Sequence, residues 1–115
     1  MPYVQVRVSV PLTKEKIEKL AEEILNTISV IPGKSAPVTM AEIVDDCHLY
    51  FGSVDGAPCA IADVAANNSP ESVHLKEYSK CVCRALNEIA GIEMNRIYIK
   101  HHGNPEWHTG RMFIE

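Results

Sequence analysis

The chain opens with residues 1–10, MPYVQVRVSV. Successive side chains of an extended segment point to opposite faces. Val4, Val6, Val8 and Val10 therefore share one face, and Tyr3, Gln5, Arg7 and Ser9 share the other. This is the signature of a half-buried strand, which Pro11 ends. Pro2 then sits at the root of the strand, where its missing N–H costs no ladder bond. It acquires a second meaning if Met1 is removed, which a second residue such as Pro normally permits. The new terminus is a secondary amine. An exposed α-amine titrates near ~8, and burial disfavours its charged form. A neutral amine serves as a general base or nucleophile, and the fixed φ of proline aims it along the strand. With Met1 attached, the same nitrogen is an amide with no useful basicity.

Outward from this strand, Thr13 is a helix N-cap. Ile17, Leu20, Ile24 and Ile28 recur at helical spacing, with Lys14, Glu15, Glu18, Lys19, Glu22 and Glu23 mostly outward. Pro32-Gly33 stops the helix, and a second strand is expected over 38–45, just after Pro37. The pattern then recurs. Residues 58–65 read as a strand. Asn67-Asn68-Ser69-Pro70 is a loop, with Ser69 as cap and Pro70 in the first helical turn. Leu75, Tyr78, Val82, Leu86 and Ile89 form an apolar stripe, and Gly91 supplies a left-handed end. A fourth strand spans residues 96–100. A short edge strand is expected near 49–51, a turn at Gly103-Asn104-Pro105 and a short strand over 111–114.

The expected fold is α/β (α+β): one domain over residues 1–115, in which β-α-β units at 1–45 and 58–102 repeat in pattern only. Each unit implies parallel strands and a right-handed crossover. Together they predict a four-stranded mixed sheet with two helices on one face. Ile97 and Ile99 would face the helices, and Tyr98 and Lys100 would join Tyr3, Gln5, Arg7 and Ser9 on the other face. Such a polar face suits either plain solvent or the inner wall of an oligomer.

Composition narrows the function. Of 115 residues, 46% are apolar and 23% charged, which fits a globular chain and argues against disorder. A net charge of −4 without a basic cluster argues against nucleic acid as a partner. No apolar run reaches the ~18 residues of a membrane span. Arg7 interrupts the first apolar stretch, so no signal peptide is expected. Cys47, Cys59, Cys81 and Cys83 are read as reduced, buried thiols of a cytoplasmic protein, with export without a signal peptide left open.

Among residues that carry chemistry, Lys34 follows Pro32-Gly33 and is either a solvated charge or an anchor for a carboxylate. His48, His74, His101, His102 and His108 lack metal-ligand spacing, so no metal is expected. His101 and His102 are adjacent and point to opposite faces of a strand. Cys59 has Ala at position 62, which excludes a Cys-x₂-Cys redox pair there. No cofactor motif, Gly-rich phosphate loop or Ser/His/Asp signature is present.

Several stretches taken in order resemble the macrophage migration inhibitory factor family of the tautomerase superfamily. They are Met1-Pro2 with the alternating strand to Val10-Pro11, Gly33-Lys34, Tyr50-Phe51-Gly52-Ser53 and Ala57-Pro58-Cys59-Ala60. Then come Glu77-Tyr78-Ser79-Lys80, Cys83, Asn95-Arg96-Ile97-Tyr98-Ile99 and Trp107. The resemblance spans nearly the whole chain. It implies a homotrimer with active sites at subunit interfaces, and keto–enol tautomerisation of a phenylpyruvate-like 2-oxo acid or its enol. It further implies Pro2 as base, Lys34 as holder of the carboxylate or oxo oxygen, and Tyr98 supplied by the neighbouring subunit. Trp107 and Phe113 would wall the apolar part. Two departures bear on substrate choice. Ala66-Asn67-Asn68 stands where the family has Ser-Ile-Gly, placing polar Asn67 in the pocket. Lys100 stands where the family has Asn, adding a cation that either pushes the Pro2 amine to a still lower pKa or favours a more anionic substrate. Two other functions remain open: a non-enzymatic, cytokine-like trimer, and hydration or dehalogenation of an unsaturated acid. The latter wants an Arg pair that Arg7, Arg84, Arg96 and Arg111 do not obviously form.

Overall fold

A computed structural model of the chain describes residues 1–103 and 105–114, with Ile114 described through its backbone alone. Strand β1 (Tyr3–Val8) leads into helix α1 (Lys14–Asn26), strand β2 (Met40–Val44), strand β3 (Ala60–Ala66), helix α2 (Ser72–Ala90) and strand β4 (Ile97–Gly103). A two-stranded hairpin follows, β5 (Trp107–His108) and β6 (Phe113–Ile114). The main sheet runs β2-β1-β3-β4. The β1/β2 and β3/β4 pairs are parallel, and β1 meets β3 antiparallel. Both helices pack on one face, so the expected four-stranded mixed sheet and its two helices are what forms.

The alternation in β1 decides the packing. Val4, Val6 and Val8 are buried with Ala62, Val64 and Ile97, beneath Leu20 and Ile24 of α1 and Tyr78, Val82 and Leu86 of α2. Burying side chains of this size stabilises by about 1.5–3 kcal/mol each. The two helices are also pinned together: the buried Tyr78 hydroxyl donates to the Ile24 carbonyl at 2.8 Å. The opposite sheet face is polar and cross-linked. Tyr3 and Gln5 donate to Glu42 Oε1 at 2.6 and 2.7 Å, and Lys100 and His102 lie 3.5 and 3.0 Å from the Asp63 carboxylate.

Several local expectations shift. Residues 36–38 form a 3₁₀ turn, so Pro37 lies inside that turn and β2 begins at Met40. Glu71, not Ser69, precedes α2 as its cap, without a side-chain capping bond, and Pro70 falls before the helix. Asn68 and Ser69 instead take positive φ angles of 65° and 37°, which a capping residue in extended geometry does not. The edge strand expected near 49–51 reduces to a single bridge between Phe51 and Ser53. The turn expected at Gly103-Asn104-Pro105 includes Asn104, which lies outside the described residues. Thr13 caps α1 through Lys16 N–H, and Gly91 ends α2 at φ 72°. All four cysteines are free, but only Cys59 is fully buried.

Candidate active site at the chain terminus

Three segments meet at the root of β1. Pro2 is buried there, and its carbonyl accepts the Met40 N–H at 3.1 Å, which ties it to the start of β2. After the 3₁₀ turn at Thr27–Val30 the chain folds back, with Lys34 N–H bonded to the Ile31 carbonyl at 3.1 Å. This turns Lys34 inward. The third segment is the loop leaving β3, which begins with Asn67.

Lys34 is not a solvated charge: only 9% of it is exposed, and Asn67 is 7% exposed. The Lys34 ammonium donates to Asn67 Oδ1 at 2.7 Å and to the Asn67 carbonyl at 3.0 Å. Asn67 Oδ1 also accepts the terminal amine of Met1 at 3.0 Å. Both amines are held below their ordinary pKa. Burial does so for Lys34. For the terminal amine, burial acts first and the neighbouring Lys34 charge second. Among the described residues, the ion pairs leave Lys34 without a carboxylate partner.

Lys34 and Asn67 line an open cleft of about 390 Å³ between residues 32–34, residues 67–70 and the first turn of α2, where Glu71 and His74 stand. A groove of about 420 Å³ lies elsewhere, between the outer faces of the two helices, and holds none of the expected site residues. His74, Glu71 and Ser69 were not anticipated as cleft residues. Their nearness in sequence to Asn67 was the available signal. Gly103 supports the same loop from below: a Cβ there would come within 3.0 Å of Ser69 Oγ and 3.1 Å of Ser69 Cα.

The remaining expected residues are not brought to this cleft within one chain. Tyr98 is registered opposite Ile61 and, through it, Arg7. Tyr3, next to Pro2, is level with Ala65 and His102. Tyr98 is thus four residues along β4 from that level, about 13 Å at ~3.3 Å per residue. It also faces away from the helices, 62% exposed, and its ring meets Phe51 edge-on at 5.1 Å. Lys100 lies on the same outer face, paired with Asp63. Trp107 is half-buried in β5, and Phe113 in β6 is exposed, with its ring 6.3 Å from that of His108. Among the described residues no cluster of His, Cys, Asp and Glu could hold a metal ion, and no helix is long and apolar enough to cross a membrane.

Solved structures of similar fold cover almost the whole chain. MIF2 of Leishmania major superposes with a TM-score of 0.90 at 22% identity, over 99% of this chain and 97% of that one. The macrophage migration inhibitory factor of Toxoplasma gondii gives 0.86 at 19% identity, over 97% and 99%. Pt0534, solved after inactivation by 2-oxo-3-pentynoate, gives 0.80 at 14% identity, over 94% and 90%. At these identities the likeness is one of fold. No curated protein sequence matches significantly. The family model for macrophage migration inhibitory factor (MIF) matches residues 1–112, and the chain belongs to that family.

Proposed function

We propose that the chain is a tautomerase that interconverts the keto and enol forms of a phenylpyruvate-like 2-oxo acid. Removal of Met1 moves the free amine to Pro2, which takes the proton from the carbon beside the carbonyl. The developing charge on the oxygen needs a fixed cation in a poorly hydrated place, and Lys34 is suited to this or to holding the substrate carboxylate. The proton then returns to oxygen or carbon, so the reaction is an isomerisation and consumes nothing else.

The observation that carries this reading is a nine-tenths-buried lysine beside the chain terminus, whose ammonium, among the described residues, is bonded by the oxygens of Asn67. A structural lysine this buried ordinarily has a carboxylate partner. One bonded by neutral oxygens alone retains charge for an anionic ligand. The inactivation of Pt0534 by a 2-oxo acid adds support from the fold.

In this reading the assembly is a homotrimer, in which a neighbouring copy presents Tyr98 and Lys100 to the cleft and the hairpin bearing Trp107 and Phe113 walls it. The separation of Tyr98 from the terminus within one chain supports a site shared between copies. The free cysteines support a reducing, cytoplasmic setting.

Ketonisation of enol phenylpyruvate, followed by absorbance for Met1-free protein and its Pro2→Gly variant, tests the reading. The variant is expected to lose at least about a hundredfold in kcat/KM, in line with removal of a general base. Equal rates in the two proteins would end the Pro2 mechanism.

A further inference from the structure

His101 stands near the end of β4 on the helix-facing side of the sheet, in register with Val64 of β3 and, through it, with Val4 of β1. Its ring reaches α2, where Nε2 lies 2.6 Å from Ser79 Oγ. The other ring nitrogen, Nδ1, is buried and has no hydrogen-bond partner among the described residues. A buried polar atom left unpaired is uncommon, and an unpaired donor on a charged ring costs more than a bare lone pair. The neutral ring with its proton on Nε2, donated to Ser79 Oγ, meets this constraint. The imidazolium does not, because it carries a second N–H at Nδ1, where no acceptor stands. Burial first, and the charge of neighbouring His102 second, hold the His101 pKa below the ordinary 6.5.

The strand end that this ring fastens borders the cleft. Two residues on, Gly103 closes against the loop after β3, where a Cβ would come within 3.0 Å of Ser69 Oγ. The same loop begins with Asn67, the partner of Lys34. A pocket of about 170 Å³, lined by Val64, Ser69, Leu75 and residues 101–103, opens alongside. We propose that the His101–Ser79 contact is an acid-sensitive latch that fastens the end of β4, and the Asn67 loop beside it, to α2. Protonation expels the ring from its seat and the strand end opens. The charged groups nearby do not offset this. On β4, Lys100 and His102 turn to the opposite face and pair with Asp63 of β3. On α2, Lys76, Lys80 and Cys83 share the outer groove with Ser79, and Glu77 pairs with Lys80. Val4 and Val64 bring no titratable group. The latch's value to a catalyst rests on the tautomerase reading; its physics does not.

The sign follows from linkage. The open strand end binds the proton more tightly than the closed one, so opening grows as pH falls below 6.5 and levels off at the folded pKa. The test is backbone amide exchange by NMR between about pH 7.5 and 4.5, corrected for intrinsic rates, with no substrate present. The ladder amides of residues 64–66 and 101–103 are expected to lose at least about tenfold in protection, while those of Val6 and Leu20 keep theirs. The loss should vanish in His101→Phe and remain in His102→Gln, which removes the titrating group on the opposite face. The His101 ring signal should titrate with a midpoint below 6.5. Unchanged protection in the parent, a uniform loss across the molecule, a loss that persists in His101→Phe, or a midpoint at or above 6.5 would overturn the proposal. Should His101→Phe fail to fold, the midpoint decides alone. Because no turnover is read, absence of tautomerase activity would leave this result standing.

Discussion

The Lys34 ammonium is held by two oxygens of a single residue, Asn67, at 2.7 and 3.0 Å. The bond crosses from the turn after α1 to the loop after β3, so it locks two of the three walls of the cleft together. Among the described residues no carboxylate pairs with the charge. A buried, unpaired cation is costly to fold, and burial lowers the Lys34 pKa accordingly.

Lys34→Met keeps much of the side chain's length while removing the charge. It is expected to reduce kcat/KM for a 2-oxo acid by roughly tenfold to a hundredfold, about 1.4–2.8 kcal/mol, chiefly through KM. The melting temperature should stay the same or rise. A variant with unchanged KM would show that Lys34 is not the anion holder.

The sign of the Lys34 contribution to pH-dependent stability follows from its lowered pKa. The unfolded chain binds this proton more tightly than the folded one. Stability attributable to Lys34 therefore rises as pH climbs from the folded pKa toward the ordinary lysine value of 10.5. Urea unfolding of parent and Lys34→Met protein should give midpoints that differ most at neutral pH and converge toward pH 10. Divergence with rising pH would contradict the assignment.

Tyr78 provides the opposite case. Its hydroxyl donates to the Ile24 carbonyl in the core, and burial pushes its pKa far above the ordinary value. An acid with a raised folded pKa contributes stability that is complete below pH 10 and is lost as pH rises above it. Tyr78→Phe should cost about 1 kcal/mol at neutral pH and weaken the alkaline loss of stability. An unaltered alkaline profile would show that another group drives it.

How much of this was legible beforehand depends on how local the signal is. The alternation of Val4, Val6 and Val8 and the helical stripe of Tyr78, Val82 and Leu86 are periodic, and periodicity survives folding. The expected cap of α2 differs from the observed one because Ser69 and Pro70 resemble a helix start, whereas Asn68 and Ser69 take positive φ in a loop that passes close to Gly103. Lys34 looked the same in sequence whether solvated or buried. Only the meeting of residues 2, 34 and 67, far apart in the chain, separates the two. His74 reads in sequence as one of five histidines without metal-ligand spacing, and its place at the cleft follows from its nearness to Asn67.

That contact with Gly103 is itself testable. A methyl at position 103 would sit 3.1 Å from Ser69 Cα and 3.4 Å from the Ala66 carbonyl oxygen, so the loop must move by a few tenths of an ångström. Gly103→Ala is expected to raise KM more than it lowers kcat, since Asn67 and Lys34 shift together. Unchanged kinetics would mean that the loop position is not transmitted to the cleft.

The central claim is a site built from Pro2 of one copy and Tyr98 of another, since Tyr98 lies four residues along β4 from the level of Tyr3, the neighbour of Pro2. Mixing separately inactive Pro2→Gly and Tyr98→Ala chains through unfolding and reassembly tests it most directly. In a three-membered ring with equal mixing, about a quarter of the junctions join an intact Pro2 to an intact Tyr98. The account predicts recovery of roughly that fraction of parental activity. A mixture no more active than its inactive components, while still assembling to the parental size, would contradict it.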